Sequence, residues 1–221
     1  MADADANSLD ATILTRDAAL LKDTVREAGA LAQSMFRTEL KTWTKGASSP
    51  VSEADIAVND LLEARLRSAT PDYGWLSEES ADDSTRLSRR LVWVVDPIDG
   101  TRNYLGGHDE WCVSVALVED AAPLLAAVFA PASGEFFFAA RGQGTLLNDK
   151  PVRATPGSTL DFSRMAGPSR WSSVSIPPAA TSSCTRESAR SRSGSAGSPM
   201  ARWMRLLRAA TAMIGILRRP I

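Results

Sequence analysis

Histidine and cysteine are nearly missing from this chain. Its 221 residues include one histidine, His108, and two cysteines, Cys112 and Cys184. Neither cysteine has a second one near it, so no zinc-ligand spacing and no disulfide framework is present. Cysteine used so sparingly makes a reducing cytoplasm the default compartment. No apolar run reaches 18 residues, so no membrane-spanning helix is expected. The first residues, MADADANSLDATILTRD, contain no apolar stretch of the kind a secretion signal needs. Aspartate is absent after residue 161, and lysine is absent from residues 169–221.

What is present is unevenly spread. The formal net charge is −1, yet residues 1–168 carry 16 Lys+Arg against 25 Asp+Glu, and residues 169–221 carry nine arginines against Glu187. A hydrophobic content of 44% supports a real core for one ordinary domain or slightly more. Residues 1–16 read as a loose polar leader. Between Asp17 and Phe36, Leu20, Leu21, Val25, Ala28, Leu31 and Met35 recur at helical spacing, with Asp17 placed to cap the helix. KTWTKGASSP (41–50) reads as a loop. Residues 52–69 form a second amphipathic pattern with Ile56, Leu62 and Leu66 on its apolar stripe, and Ser52 and Asp55 at its start resemble a capping box. Short apolar runs then follow at 75–80, 91–95, 111–120, 122–131 and 134–141, and an Asn-Asp turn lies in 144–154. Helices followed by strands predict an α+β layered fold.

The segment LVWVVDPIDGTRNY (91–104) carries the chemistry. An apolar strand runs into Asp96 and Asp99, with Pro97 between them and Gly100 and Thr101 behind. Carboxylate and carbonyl oxygens are what hard cations such as Mg2+ prefer. Proline fixes φ and removes an N–H, which turns the chain out of the strand. Both carboxylates and an intervening carbonyl can then reach one point, while Gly100 and Thr101 offer backbone N–H groups and a hydroxyl to an anion. Glu78 and Glu79, at the end of another strand, are further candidate ligands. Two cations sharing such carboxylates can grip a phosphate ester and activate water. Standing alone, Asp-Pro-x-Asp-Gly also fits a plain Asx-capped turn.

Three elements together resemble the inositol monophosphatase family of Mg2+-dependent, lithium-sensitive phosphatases: SPVSEAD (49–55), WLSEES (75–80) and WVVDPIDGTRNY (93–104). ARGQGTLLNDKPVRA (140–154) is similar to the stretch after that family's central strands, and the likeness covers about residues 17–168. It implies a layered α/β sugar-phosphatase fold in which Glu78, Asp96 and the Ile98 carbonyl hold a first Mg2+, and Asp96 and Asp99 a second. Gly100 and Thr101 would hold the phosphate, Thr101 and Glu78 would orient the attacking water, and Arg102 would touch substrate. Glu79 and Asp55 are implied as supporting carboxylates, Asp55 with the alternative of a plain charge in the first turn of its helix. The resemblance also implies a small phosphorylated substrate, no nucleic-acid or membrane partner, and a homodimer in the intact family. SPVSEAD, YGWLSEES and DEWCVSVALVED look closest to the bacterial 3′(2′),5′-bisphosphate nucleotidase branch, with inositol 1-phosphate and histidinol phosphate as alternatives. An inactive remnant, or a binding protein with a basic tail, is the alternative of another class.

Two family features are missing. Relatives carry an aspartate near positions 47–49, where this chain has Ala47, Ser48 and Ser49. The family's late Trp-Asp metal ligand has no counterpart either. A change of reading frame would account for the second gap. With synonymous codons chosen for the purpose, Met213–Ile221 can be spelled ATG ATT GGG ATA TTG CGG CGG CCG ATT, which read from its third nucleotide gives DWDIAAAD. The same shift over Met200–Met213 gives GALDAAFAGGNGN and joins it. The order of domains expected is therefore a leader (1–16), a phosphatase-like domain with the metal site (17–168), and a Ser/Arg-rich tail (169–221) read out of frame. Of the remaining polar residues, His108 reads as a solvated loop residue or a substrate contact, and Lys45 as a phosphate contact or a surface lysine.

Overall fold

The computed structural model describes residues 2–46, 49–120 and 122–153, with side chains described from residue 14 onward. The expected out-of-frame tail, 169–221, lies outside the described residues, as does the late segment that frame reading restores.

Helix α1 runs from Ala2 to Met35. The expected leader is therefore helical from Ala2, in keeping with the high helix propensity of its alanines and leucines. Asp17 consequently sits inside α1 and does not cap it. It is fully buried, accepting hydrogen bonds from the Tyr73 hydroxyl at 2.7 Å and from Arg16 Nε at 2.8 Å. Residues 41–50, expected as a loop, form a hairpin of β1 (Thr42–Lys45) and β2 (Ser49–Ser52). Its strands are four residues each, too short for an alternating pattern to stand out.

Helix α2 (Glu53–Ala69) starts where the capping pattern places it. Asp55 Oδ2 accepts the Ser52 backbone N–H at 2.8 Å and the Ser52 hydroxyl at 2.6 Å. Its buried stripe is Ala54, Val58, Leu62 and Leu66. Ile56, expected on that stripe, is only half-buried, because the helix is rotated to bury Asp55 and Asn59 instead.

The strands β3 (Gly74–Ser77), β4 (Leu91–Asp99), β5 (Cys112–Glu119), β6 (Ala122–Ala130), β7 (Glu135–Ala140), β8 (Gly144–Leu147) and β9 (Lys150–Val152) form one sheet in that order. Only β3 and β4 are parallel; the other neighbours are antiparallel. A five-residue helix, α3 (Thr101–Leu105), links β4 to β5. Strand alternation divides the sheet's apolar residues between two faces. Trp93, Val95, Val113, Val115 and Leu117 pack with Leu21, Val25 and Ala28 of α1 and Ala54, Val58 and Leu62 of α2. Leu76, Val92, Val94, Ala116 and Val118 form a second cluster on the other face. Gly29 lets α1 lie close on β6, since a Cβ there would come within 2.2 Å of the Phe129 ring. The arrangement is the α+β layering expected from the sequence.

Candidate metal and phosphate site

Strand pairing decides where the carboxylates emerge. Ser77 of β3 is in register with Val95 of β4, and the Glu78 N–H donates to the Val95 carbonyl at 3.1 Å. Because the two strands are parallel, Glu78 and Asp96 leave the same end of the sheet, each one residue past that pair. The β4–β5 ladder then slips: Asp96 faces Ser114 and Asp99 faces Cys112. Two residues, Pro97 and Ile98, thus oppose the single Val113, which is a β-bulge. Proline in the bulge gives up no ladder hydrogen bond. Gly100 follows at φ +98°, and a Cβ there would lie 2.8 Å from the Glu110 carbonyl oxygen, so this corner requires glycine.

The corner is tied to α2. Thr101 Oγ1 lies 3.2 Å from Asp55 Oδ1 and 3.1 Å from the Ile98 carbonyl oxygen, so its hydroxyl can donate to either. Asp55 is 2% exposed. It therefore caps α2 and also contacts Thr101 at this corner. Lys45, at the end of β1, donates to the Glu78 carbonyl, and its Nζ lies 3.5 Å from Glu79 Oε2.

The electrostatics are those of a site short of positive charge. Burial raises the Asp96 carboxyl well above the usual carboxylate range, and the charges of Glu78, Asp99, Asp55 and Glu79 push it the same way. Glu79 is also raised, chiefly by burial; Lys45 opposes the shift, while Glu78 and Asp55 add to it. The charges of four other acidic side chains thus bear on Asp96, while Glu79 has Lys45 as a salt-bridge partner. Among the described residues no three of them already stand gathered as a coordination shell. Their chemistry fits a hard divalent cation all the same: all donors are oxygens, and their mutual repulsion is what such a cation relieves.

Of the expected site residues, the structure brings Glu78, Glu79, Asp96, Asp99 and Asp55 into electrostatic contact and puts Ile98, Gly100 and Thr101 at the same corner. Arg102 is exposed on α3, and His108 is exposed in the loop after it. The sequence reading missed the clamp that holds Glu78 and Glu79. Asn59, 4% exposed on α2, accepts from the Ser77 hydroxyl at 2.6 Å and donates to Ser80 Oγ at 3.2 Å. Trp75 Nε1 also donates to Ser80 Oγ at 3.3 Å, and the Glu79 N–H donates to Ser77 Oγ at 3.2 Å. An asparagine at a core-facing helix position was the available signal.

The family model of the inositol monophosphatase family matches residues 14–215. The chain belongs to the inositol monophosphatase family. Among curated relatives, it is 42% identical over 110 residues to Nus factor SuhB of Xylella fastidiosa, covering 50% of this chain and 39% of that protein. It is 34% identical over 143 residues to histidinol-phosphatase of Chlorobaculum parvum, covering 64% and 54%. The chain spans about half the length or less of these two. A solved SuhB from Bartonella henselae superposes with a TM-score of 0.60 at 28% identity, covering 64% of this chain and 55% of that one. An IMPase/NADP phosphatase solved with Mg2+ and phosphate shares the fold at a TM-score of 0.57 and 22% identity, covering 62% and 52%.

Proposed function

We propose that this site hydrolyses a phosphate monoester with Mg2+. The observation that carries the reading is the convergence of Glu78 and Asp96 from one end of two parallel strands, beside Asp99 and Thr101. Glu78, Asp96 and the Ile98 carbonyl would hold one Mg2+, and Asp96 and Asp99 a second; such cations would supply charge stabilisation for a phosphoryl group and a more acidic water. The Thr101 hydroxyl, donating to Asp55, would keep its oxygen free to accept from the attacking water, which Glu78 would help orient. Gly100 and Thr101 position the phosphate at the corner. Asn59, through Ser77 and Ser80, keeps Glu78 and Glu79 from drifting.

The preferred substrate in this proposal is a 3′(2′),5′-bisphosphate nucleotide, losing its 3′-phosphate. Inositol 1-phosphate and histidinol phosphate are the competing esters, the second favoured by the relative from Chlorobaculum parvum. We further propose that residues 169–221 are an out-of-frame reading of the segment that supplies the family's late metal-binding aspartate. The contiguous string GALDAAFAGGNGNDWDIAAAD in the shifted frame supports this, although the family match itself extends to residue 215. Phosphate release from the three esters, with and without Mg2+ and Li+, tests the activity. Weak turnover by this chain that rises when the shifted frame is restored is the expected result. No Mg2+-dependent release from any ester by either form rules the proposal out. A verified gene sequence whose shifted frame lacks the aspartates sinks the frame reading alone.

A further inference from the structure

Two large hydrophobic side chains stand exposed among the described residues, Trp43 and Leu87, and Trp43 lies beside the site. Successive side chains of a strand alternate between faces, so Trp43 and Lys45 leave β1 on the same side. Lys45 identifies that side, because its ammonium reaches the Glu78 carbonyl and the Glu79 carboxylate. The cross-strand partner of Trp43 is Val51, which shares its face and is buried, on a strand that packs against α3. This face of the hairpin therefore turns toward the carboxylate corner, and Trp43 stands on it 45% exposed. Two residues of strand, about 7 Å, separate it from Lys45 in the direction of the hairpin base, where Ser52 caps α2. A half-exposed tryptophan so placed offers a flat apolar surface near the corner that the proposed function assigns to phosphate.

We propose that Trp43 is a specificity-determining residue: its indole is the platform on which the ring of a nucleotide substrate stacks while the phosphate sits at Gly100 and Thr101, beside the cation ligands Asp96 and Asp99. This rests on the phosphate-site reading above and adds the recognition of the leaving group. A planar base gains from stacking on indole, worth about 1–3 kcal/mol per base. An inositol ring, saturated and covered with hydroxyls, gains little there. Discrimination between the two esters then resides in one side chain of the hairpin and not in the metal ligands.

The test measures binding of adenosine 3′,5′-bisphosphate and of inositol 1-phosphate to the full chain by calorimetry in Mg2+, for the wild type, Trp43→Ala and Trp43→Phe. Expected is an affinity loss of about tenfold for the nucleotide in Trp43→Ala. Trp43→Phe should recover most of it, and inositol 1-phosphate binding should change less than twofold in either variant. Equal loss for both ligands, no loss for the nucleotide, or no nucleotide binding by the wild type overturns the inference. Nucleotide binding that depends on Trp43, with no phosphate release by this chain or by the frame-restored form, upholds the platform and defeats the hydrolase reading. A platform without any nucleotide preference over the inositol ester is excluded by the same titrations.

Discussion

Strand β4 contains two regions that obey opposite rules. Residues 91–95 run in regular register against β3 and β5, and Trp93 is fully buried against the α1–α2 layer. Residues 96–99 slip register through a bulge at Pro97 and Ile98, where the strand continues to Asp99 and does not turn out at the proline as the sequence suggested, and they carry carboxylates that repel one another. The first half stabilises the fold through apolar burial, which requires nothing beyond shape. The second half gathers like charges, which costs stability unless a cation offsets them. The difference shows how one strand both anchors a site and holds it under electrostatic stress.

Substitutions can break this contrast. The largest effect is expected in the regular half. Trp93→Ala removes a fully buried indole whose N–H donates to Thr70 Oγ1 at 2.9 Å, and should lower stability by about 3–5 kcal/mol in urea unfolding. A loss under ~1 kcal/mol would show that this half is not the anchor. Next comes Asp96→Asn, which should reduce Mg2+-dependent phosphate release at least ~100-fold. Without metal, the same variant should melt no lower than the wild type, because it removes a buried, repelled carboxylate. A lower melting temperature for it in EDTA would contradict the stress argument.

Asn59→Ala probes the link between the two halves. It should cut turnover or Mg2+ affinity by roughly tenfold, within the range for residues that orient metal ligands. Asn59→Asp should restore the acceptor for Ser77 but not the donor to Ser80, giving a partial rescue. An unchanged Mg2+ titration in both variants would leave the clamp without a functional role. The smallest effect lies far from the site. Burial, reinforced by the hydrogen bond to Asp17, pushes the Tyr73 hydroxyl up to about 12 from its ordinary value of 10. A raised pKa means that the folded chain holds the proton more tightly than the unfolded one. Its contribution is therefore complete below pH 10 and is lost as pH climbs through about 12. Alkaline absorbance titration should show no tyrosine ionising at its normal pH, since burial raises Tyr104 as well. Ionisation of either tyrosine near pH 10 in the folded protein would refute this.

Much of the site was legible before any fold was known. Asp96, Asp99, Gly100 and Thr101 sit close together in the chain, and a turn of four residues is local chemistry. Ser52 and Asp55 were legible for the same reason, as a cap closes over three residues. The hairpin 42–52 was not, because its strands are too short to show alternation and it is held by contacts from Lys45 to Glu78 and Glu79, more than 30 positions away. Asp17 was misplaced as a cap because its partly buried partner, Tyr73, lies 56 residues along the chain.

The sequence by itself determined the donor chemistry: carboxylate and carbonyl oxygens, a glycine corner and a hydroxyl, together with the helix and strand periodicities that frame them. Only the tertiary structure decided that Glu78 meets Asp96, that Asp55 meets Thr101, and that Trp43 is left uncovered on the side of the hairpin facing the site. Those are long-range contacts, set by the parallel register of β3 on β4 and the packing of α2 against the sheet. No pattern of neighbouring residues encodes them, because they exist only once distant segments have been brought together by burial of the apolar core.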